Sequence, residues 1–209
     1  MEECISVFDM LKIGVGPSSS HTLGPWRAAE RFLGELRNQD LLHQTTSVKV
    51  DLYGSLSLTG KGHATDLAVM LGLSGQDPET IPVKDIAGII KEIEEQNQIN
   101  LGNEHKIPFS FLMDIVFNKN FLPFHANGLT FTASFDNNEV YEQTYYSIGG
   151  GFVVVEDRVN AKKKLEIKCA FPFPIQNAEE LLQYTISENK TISEIVYENE
   201  KSMHSEEVI

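Results

Sequence analysis

The most informative stretch of this chain is GVGPSSSHT, at residues 14–22. Two glycines and a proline shape the backbone, and three serines, a histidine and a threonine follow in direct succession. A loop of this kind, placed just before a helix, can present hydroxyls and backbone N–H groups to an anion. The histidine adds a group that can take up or release a proton near neutral pH. The stretch therefore predicts a site for a small carboxylate ligand whose reaction needs acid–base help.

A second stretch, GSLSLTGKGH at residues 54–63, has the same character. It follows an alternating apolar pattern over residues 48–53, which predicts a half-buried strand, and it leads into a predicted helix over about residues 64–73. The first stretch leads likewise into apolar residues at helical spacing over residues 25–38. These features together predict an α+β fold with mixed α/β layers.

The middle of the chain predicts a further helix and a hairpin. Isoleucines at helical spacing indicate a helix over residues 83–98. Residues 129–135 and 140–146 alternate in polarity and are separated by an Asp-Asn-Asn turn, which indicates a β-hairpin. Three consecutive glycines at residues 149–151 predict a bulge or a close approach of the backbone to a neighbour.

The chain changes character at residue 157. Lysines gather there in an otherwise acidic chain and a Phe-Pro-Phe-Pro run follows, so residues 157–176 are predicted to form a linker. Residues 177–209 predict two short helices, one capped by Asn177 and the other opening on a capping box at Thr191. Two short helices cannot bury their own apolar stripes, so we expect them either to dock on the first domain or to belong to a larger domain that has been cut away.

Composition limits the classes of function. The chain has 209 residues, 41% of them hydrophobic, which supports a folded core. Its net charge of −13 argues against binding to nucleic-acid phosphates or to an anionic membrane surface. The start of the chain lacks the pattern of a secretory signal, and Cys4 and Cys169 alone imply no disulfide framework. These features predict a soluble cytoplasmic protein.

Each chemical signal has a simpler interpretation. Thr22 or Ser20 is suited to be an ordinary N-cap of the following helix, with His21 merely at the surface. The spacing of His63 and Asp66 is also compatible with a metal site in which His21 is a third ligand. A nucleophile formed by a serine paired with a histidine is a further alternative. The remaining histidines have no chemical companions and are interpreted as solvated or structural; they are His43, His105, His125 and His204. If the helices that follow the two turns are neighbours, both imidazoles face one pocket, with Lys61 near a bound anion.

Four stretches, in this order along the chain, resemble the bacterial iron–sulfur L-serine dehydratases. They are ISVFDM at residues 5–10, IGVGPSSSHT at 13–22, YGSLSLTGKGH at 53–63 and YYSIGGGF at 145–152. The resemblance covers nearly the whole chain. It implies a β domain over residues 1–156, similar in fold to the allosteric substrate-binding domain of phosphoglycerate dehydrogenases.

The resemblance also implies a larger helical α domain, of which residues 177–209 would be only the start. In the family this domain holds a [4Fe–4S] cluster on cysteines, and those cysteines are missing from this chain. We therefore expect the cluster to be bound by an α domain that is absent here, lost by truncation or supplied in cis or in trans. The chain alone is expected to be inactive.

The family converts L-serine to pyruvate and ammonia. By resemblance, His21 and His63 are the catalytic acid–base candidates, and no metal ligand is assigned to this chain. The residues assigned to bind the substrate carboxylate are Ser18, Ser19, Ser20, Thr22 and Lys61.

Two rival functions remain open. The chain would serve as a non-catalytic amino-acid-binding regulatory module if it binds L-serine without iron. It would be an interaction protein if both turns are only helix caps. Apolar stripes that include Ile195, Val196 and Met203, left without an α domain, also predict self-association as a homodimer.

Overall fold

The computed structural model describes residues 6–16, 18–155 and 171–209. They form two compact units. The larger unit is Ile13–Asp157, and the smaller unit combines the N-terminal segment to Lys12 with the chain from Arg158 onward. Most of the linker predicted over residues 157–176 lies outside the described residues.

The helices of the described residues, in chain order, are α1 Val7–Met10, α2 Gly24–Asn38, α3 Gly54–Leu58, α4 Thr65–Leu73, α5 Val83–Gln96, α6 Phe111–Asp114, α7 Ala178–Ser187 and α8 Ile192–Lys201. The strands are β1 Thr45–Leu52, β2 Gln98–Leu101, β3 His105–Pro108, β4 Ile115–Phe117, β5 Gly128–Phe135, β6 Val140–Gly149 and β7 Phe152–Val155. A π-helical turn, Ser19–Leu23, leads into α2, and a 3₁₀ turn, Gly60–His63, precedes α4.

The sheet of the larger unit has the strand order β4-β1-β5-β6-β7, while β2 and β3 form a separate hairpin. Strand β1 runs parallel to β4, whereas its pairing with β5 and the pairings of β5 with β6 and β6 with β7 are antiparallel. The predicted hairpin is confirmed as β5 and β6. Helices and a mixed sheet confirm the α+β class.

The core of the larger unit explains why α2 and α4 lie side by side. Helix α2 packs on the sheet through fully buried Phe32, whose ring stacks on Phe131 with centroids 5.0 Å apart. Helix α4 packs against α2 so closely that a Cβ on Gly72 would lie 2.7 Å from the Trp26 carbonyl oxygen. This approach brings together the turns that precede the two helices.

The glycine run confirms the predicted irregularity in the sheet. The register between β6 and β7 shifts between Ser147 and Gly149. Glycines 149, 150 and 151 have φ angles of +98°, +59° and +77°, which other residues rarely adopt. A Cβ on Gly151 would lie 2.7 Å from the side chain of Leu23, so the bulge also packs against the π-helical turn.

The smaller unit contains both predicted caps. Asn177 accepts a hydrogen bond from the Glu180 backbone, and Thr191 forms the expected capping box at the start of α8. The expected exposure of the α8 stripe is wrong at Ile195, which is fully buried, whereas Met203 is 41% exposed. Among the described residues, no helix is both long and apolar enough to cross a bilayer.

Candidate functional site

The turn that carries His21 is π-helical. Its hydrogen bond runs from the backbone N–H of Gly24 to the carbonyl of Ser19, one residue further back than in an α-helix. The helical path therefore starts upstream of α2 and includes the serines and the histidine. Such single π-helical turns are frequent at functional sites.

The predicted N-caps of α2 are wrong, because Ser20 and Thr22 lie inside this turn. The residue at the N-cap position of α2 is Leu23, which makes no side-chain cap. The hydroxyl of Thr22 instead donates to the Ser18 carbonyl, and the hydroxyl of Ser20 contacts the His21 ring. These hydroxyls are therefore not explained as helix caps.

Two buried hydroxyls from other elements hold the backbone of the turn. Ser147 on β6 donates to the Ser20 carbonyl over 2.8 Å, and Thr65 at the start of α4 donates to the His21 carbonyl over 2.7 Å. Both side chains are 0% exposed. Only glycine fits at position 24, because a Cβ there would lie 1.9 Å from the Ser147 hydroxyl.

The His21 ring is held from both sides. Its Nδ1 lies 2.9 Å from the Ser20 hydroxyl, and its Nε2 lies 3.0 Å from the Ser55 hydroxyl. The Ser18 hydroxyl extends this row, at 3.3 Å from that of Ser20. Burial, and secondly the neighbouring His63, lowers the pKa of His21 below its usual 6.5, so the ring is neutral at pH 7.

The second imidazole faces the first. His63 Nδ1 lies 2.9 Å from the carbonyl oxygen of Thr59. Because a carbonyl can only accept, the Nδ1 of a neutral His63 carries the proton and its Nε2 carries the lone pair. The ring centroids of His21 and His63 are 4.9 Å apart and the planes are inclined by 40°. The predicted convergence of the two turns is confirmed.

The other candidate residues differ in their surroundings. Ser18 and Ser20 are half-buried, whereas Ser19 and Lys61 are exposed. The Lys61 ammonium lies over the Phe117 ring, 5.1 Å from its centroid. Ser18, Ser20, His21 and His63 are thus the candidates that the structure draws into one group.

The metal interpretation finds no support in the described part of the chain, where no group of three or more His, Cys, Asp or Glu side chains is placed to hold an ion. The carboxylate of Asp66 accepts a hydrogen bond from the Leu67 backbone. Burial raises the pKa of this carboxyl. Both cysteines lie outside the described residues.

Comparison with known proteins identifies the family of the chain. The sequence profile of the family described as "Serine dehydratase beta chain" matches residues 6–158, which contain both histidine turns. The chain belongs to this family.

Curated relatives match almost the whole chain. It is 41% identical over 207 residues to an L-serine dehydratase of Haemophilus influenzae, which covers 98% of this chain and 45% of the relative. It is 42% identical over 206 residues to L-serine dehydratase 1 of Escherichia coli, which covers 98% of this chain and 45% of the relative. It is 44% identical over 207 residues to an L-serine dehydratase of Streptomyces coelicolor, which covers 98% of this chain and 46% of the relative. The chain therefore spans a little less than half the length of these relatives.

Three hydroxyls that hold His21 or the Ser20 carbonyl beside it were not among the candidates predicted from sequence. Ser55, Thr65 and Ser147 lie inside the family match, in or directly beside the stretches that carry the resemblance. Ser55 also donates its backbone N–H to Ala126 in the loop before β5. The next residue back, His125, accepts the Asn127 backbone N–H at its Nδ1.

Proposed function

We propose that this chain is the β-domain portion of a cytoplasmic L-serine ammonia-lyase and supplies the substrate grip and the acid–base groups that convert L-serine to pyruvate and ammonia. The observation that carries the proposal is the 4.9 Å approach of the His21 and His63 rings on a serine-rich turn. Relatives that are 41–44% identical to the chain and are named L-serine dehydratases support the choice of substrate.

In this proposal His63 removes the α-proton of serine. Its Nδ1 is committed to the Thr59 carbonyl, so Nε2 presents a lone pair. The α-proton is weakly acidic, so its removal needs a base held within hydrogen-bond reach and a fixed substrate. His21, whose two ring nitrogens both contact hydroxyls, orients the substrate and passes protons on.

The serine-rich turn binds the substrate carboxylate. Ser18, Ser19 and Ser20 lie at the start of the helical path that continues into α2, where the helix dipole favours a negative charge. The exposed Lys61, two residues before His63, adds a positive charge on the other turn. Thr22 contributes indirectly, because its hydroxyl holds the Ser18 carbonyl.

The residues of this chain do not fit a [4Fe–4S] cluster. Such clusters are held by several cysteines, whereas the sequence has only Cys4 and Cys169, and the described residues contain no ligand group. We propose that the cluster is bound by an α domain, in cis or in trans, and that turnover requires this domain. The chemistry assigned to this chain is limited to substrate binding and proton transfer.

The test is pyruvate formation from L-serine by this chain combined with a polypeptide that supplies the rest of the family's length. His63→Ala should lower kcat by about 10²- to 10⁴-fold, the usual contribution of a positioned base. His43→Ala is the matched control, since its side chain is 69% exposed and its ring lies 5.8 Å from that of His105. Near-wild-type kcat in both His21→Ala and His63→Ala would remove these residues from the mechanism.

A further inference from the structure

The short helix α3 contacts both imidazoles of the candidate site. The Ser55 hydroxyl lies 3.0 Å from His21 Nε2, and the carbonyl of Thr59, the residue that ends α3, lies 2.9 Å from His63 Nδ1. Thr59 is itself bonded to the Ser55 carbonyl, through its backbone N–H at 3.1 Å and its hydroxyl at 2.9 Å. A single helical turn therefore holds both rings.

Helix α3 is fixed at its own start. The backbone N–H of Gly54 donates to Asn120 over 2.9 Å, and that of Ser55 donates to Ala126 over 2.8 Å. Gly54 has a φ angle of +53°, and a Cβ there would lie 2.3 Å from the Ala126 carbonyl oxygen. Leu56 is fully buried. These contacts leave α3 little freedom to move relative to the sheet.

The two anchors differ in chemistry. The Thr59 carbonyl can only accept, which fixes the proton of a neutral His63 on Nδ1. Ser55 and Ser20 are hydroxyls that can donate or accept, and they contact the two nitrogens of His21. His21 can therefore hold its proton on either nitrogen while its ring stays in place, whereas His63 cannot.

We propose that Ser55 is a positioning residue, which holds the His21 ring at its distance from His63 and lets His21 exchange its proton between its two nitrogens. The functional meaning of this arrangement rests on the proposed L-serine dehydration, but the arrangement itself does not. Replacing Ser55 with alanine removes one anchor of His21 and leaves the Thr59 anchor of His63 intact. The contribution of Ser55 that raises the pKa of His21 comes from its backbone, which the substitution leaves in place.

The test is ¹⁵N NMR of the histidine ring nitrogens in this 209-residue chain, titrated with pH. Ser55→Ala removes the hydroxyl that lies 3.0 Å from His21 Nε2, so it should change both ring-nitrogen shifts of His21, while His63 keeps its proton on Nδ1. Ser55→Thr, which keeps the hydroxyl, should restore the wild-type values. Ser57→Ala on the same helix is the matched control and should leave both histidines unchanged.

Unchanged ring-nitrogen shifts of His21 in Ser55→Ala would overturn the proposal. If that variant fails to fold, Ser55→Cys keeps the size and weakens the hydrogen bond, and it must shift His21 in the same direction. In the pyruvate assay, Ser55→Ala should lower kcat with little change in KM. If the wild-type assembly forms no pyruvate, the proposed function fails while the NMR result still decides the role of Ser55.

Discussion

Gly72→Ala tests whether the close packing of α2 and α4 holds the site together. The added Cβ would lie 2.7 Å from both the Ala29 Cβ and the Trp26 carbonyl oxygen. Carbon–carbon contacts are favourable near 3.5–4.0 Å, so α4 must move away from α2 by about 1 Å. Alanine gains about 1 kcal/mol of helix propensity over glycine, whereas overpacking costs about 1–3 kcal/mol. Because backbone and a core alanine cannot yield easily, we expect a net loss of about 1–2 kcal/mol in the free energy of unfolding.

The assay is urea unfolding followed by the fluorescence of Trp26, the only tryptophan, which is 1% exposed and reports on the larger unit. Gly88→Ala in α5 is the matched control, because a Cβ there would meet nothing within 4 Å. It should stabilise the chain by up to about 1 kcal/mol through helix propensity alone. A Gly72→Ala chain as stable as Gly88→Ala would refute the account of the α2–α4 contact.

Three further predictions concern stability. Glu35→Ala removes the acceptor of the buried Tyr145 hydroxyl, so the free energy of unfolding should fall by about 1–3 kcal/mol. Adding Tyr145→Phe to this variant should recover much of the lost stability. No recovery would argue against this hydrogen bond. Asn177→Ala should lower the stability of the smaller unit by about 0.5–2 kcal/mol, measured by thermal unfolding followed by circular dichroism. Asn177→Asp keeps the cap and should lose less stability. Equal losses of stability in the two variants would contradict the capping role. The pKa of His21 is lowered in the folded chain, so the unfolded chain binds a proton on this histidine more readily. Stability should therefore fall as the pH drops from about 6.5 toward the lower pKa that His21 has in the folded chain. His21→Asn should lose less stability than the wild type between pH 7.5 and pH 5 in the same urea assay, and equal losses would contradict the shift.

Local patterns in the sequence predict much of this fold. The alternation in β5 and β6, the cap at Asn177 and the capping box at Thr191 all follow from residues that are close in the chain. Strand β4 has three residues and β2 and β3 have four each, too short for alternation to be recognised. Strand β4 also pairs with the distant strand β1, whereas β2 and β3 pair with each other in a short hairpin. Short strands of this kind depend on the tertiary fold.

The candidate site is likewise predictable from local sequence patterns only in part. The two histidine turns are recognisable from their glycines and hydroxyls, and their convergence depends only on α2 and α4 being neighbours. The π-helical turn is not predictable, because Ser20 and Thr22 look like ordinary caps. What sets the turn are hydroxyls far away in sequence, on Ser147 and Thr65. Ser55 lies within a recognised stretch, but only the structure shows which ring it holds.

The distance between the two imidazoles is the feature on which the proposed site most depends. Rings with centroids 4.9 Å apart should give nuclear Overhauser effects between the ring protons of His21 and His63 in the isolated chain. The stacked rings of Phe32 and Phe131, at 5.0 Å, provide an internal standard of known separation. We expect a cross-peak between the two histidines that is about as intense as this standard and that is lost in His63→Ala. A clear Phe32–Phe131 cross-peak with none between the histidines would contradict it.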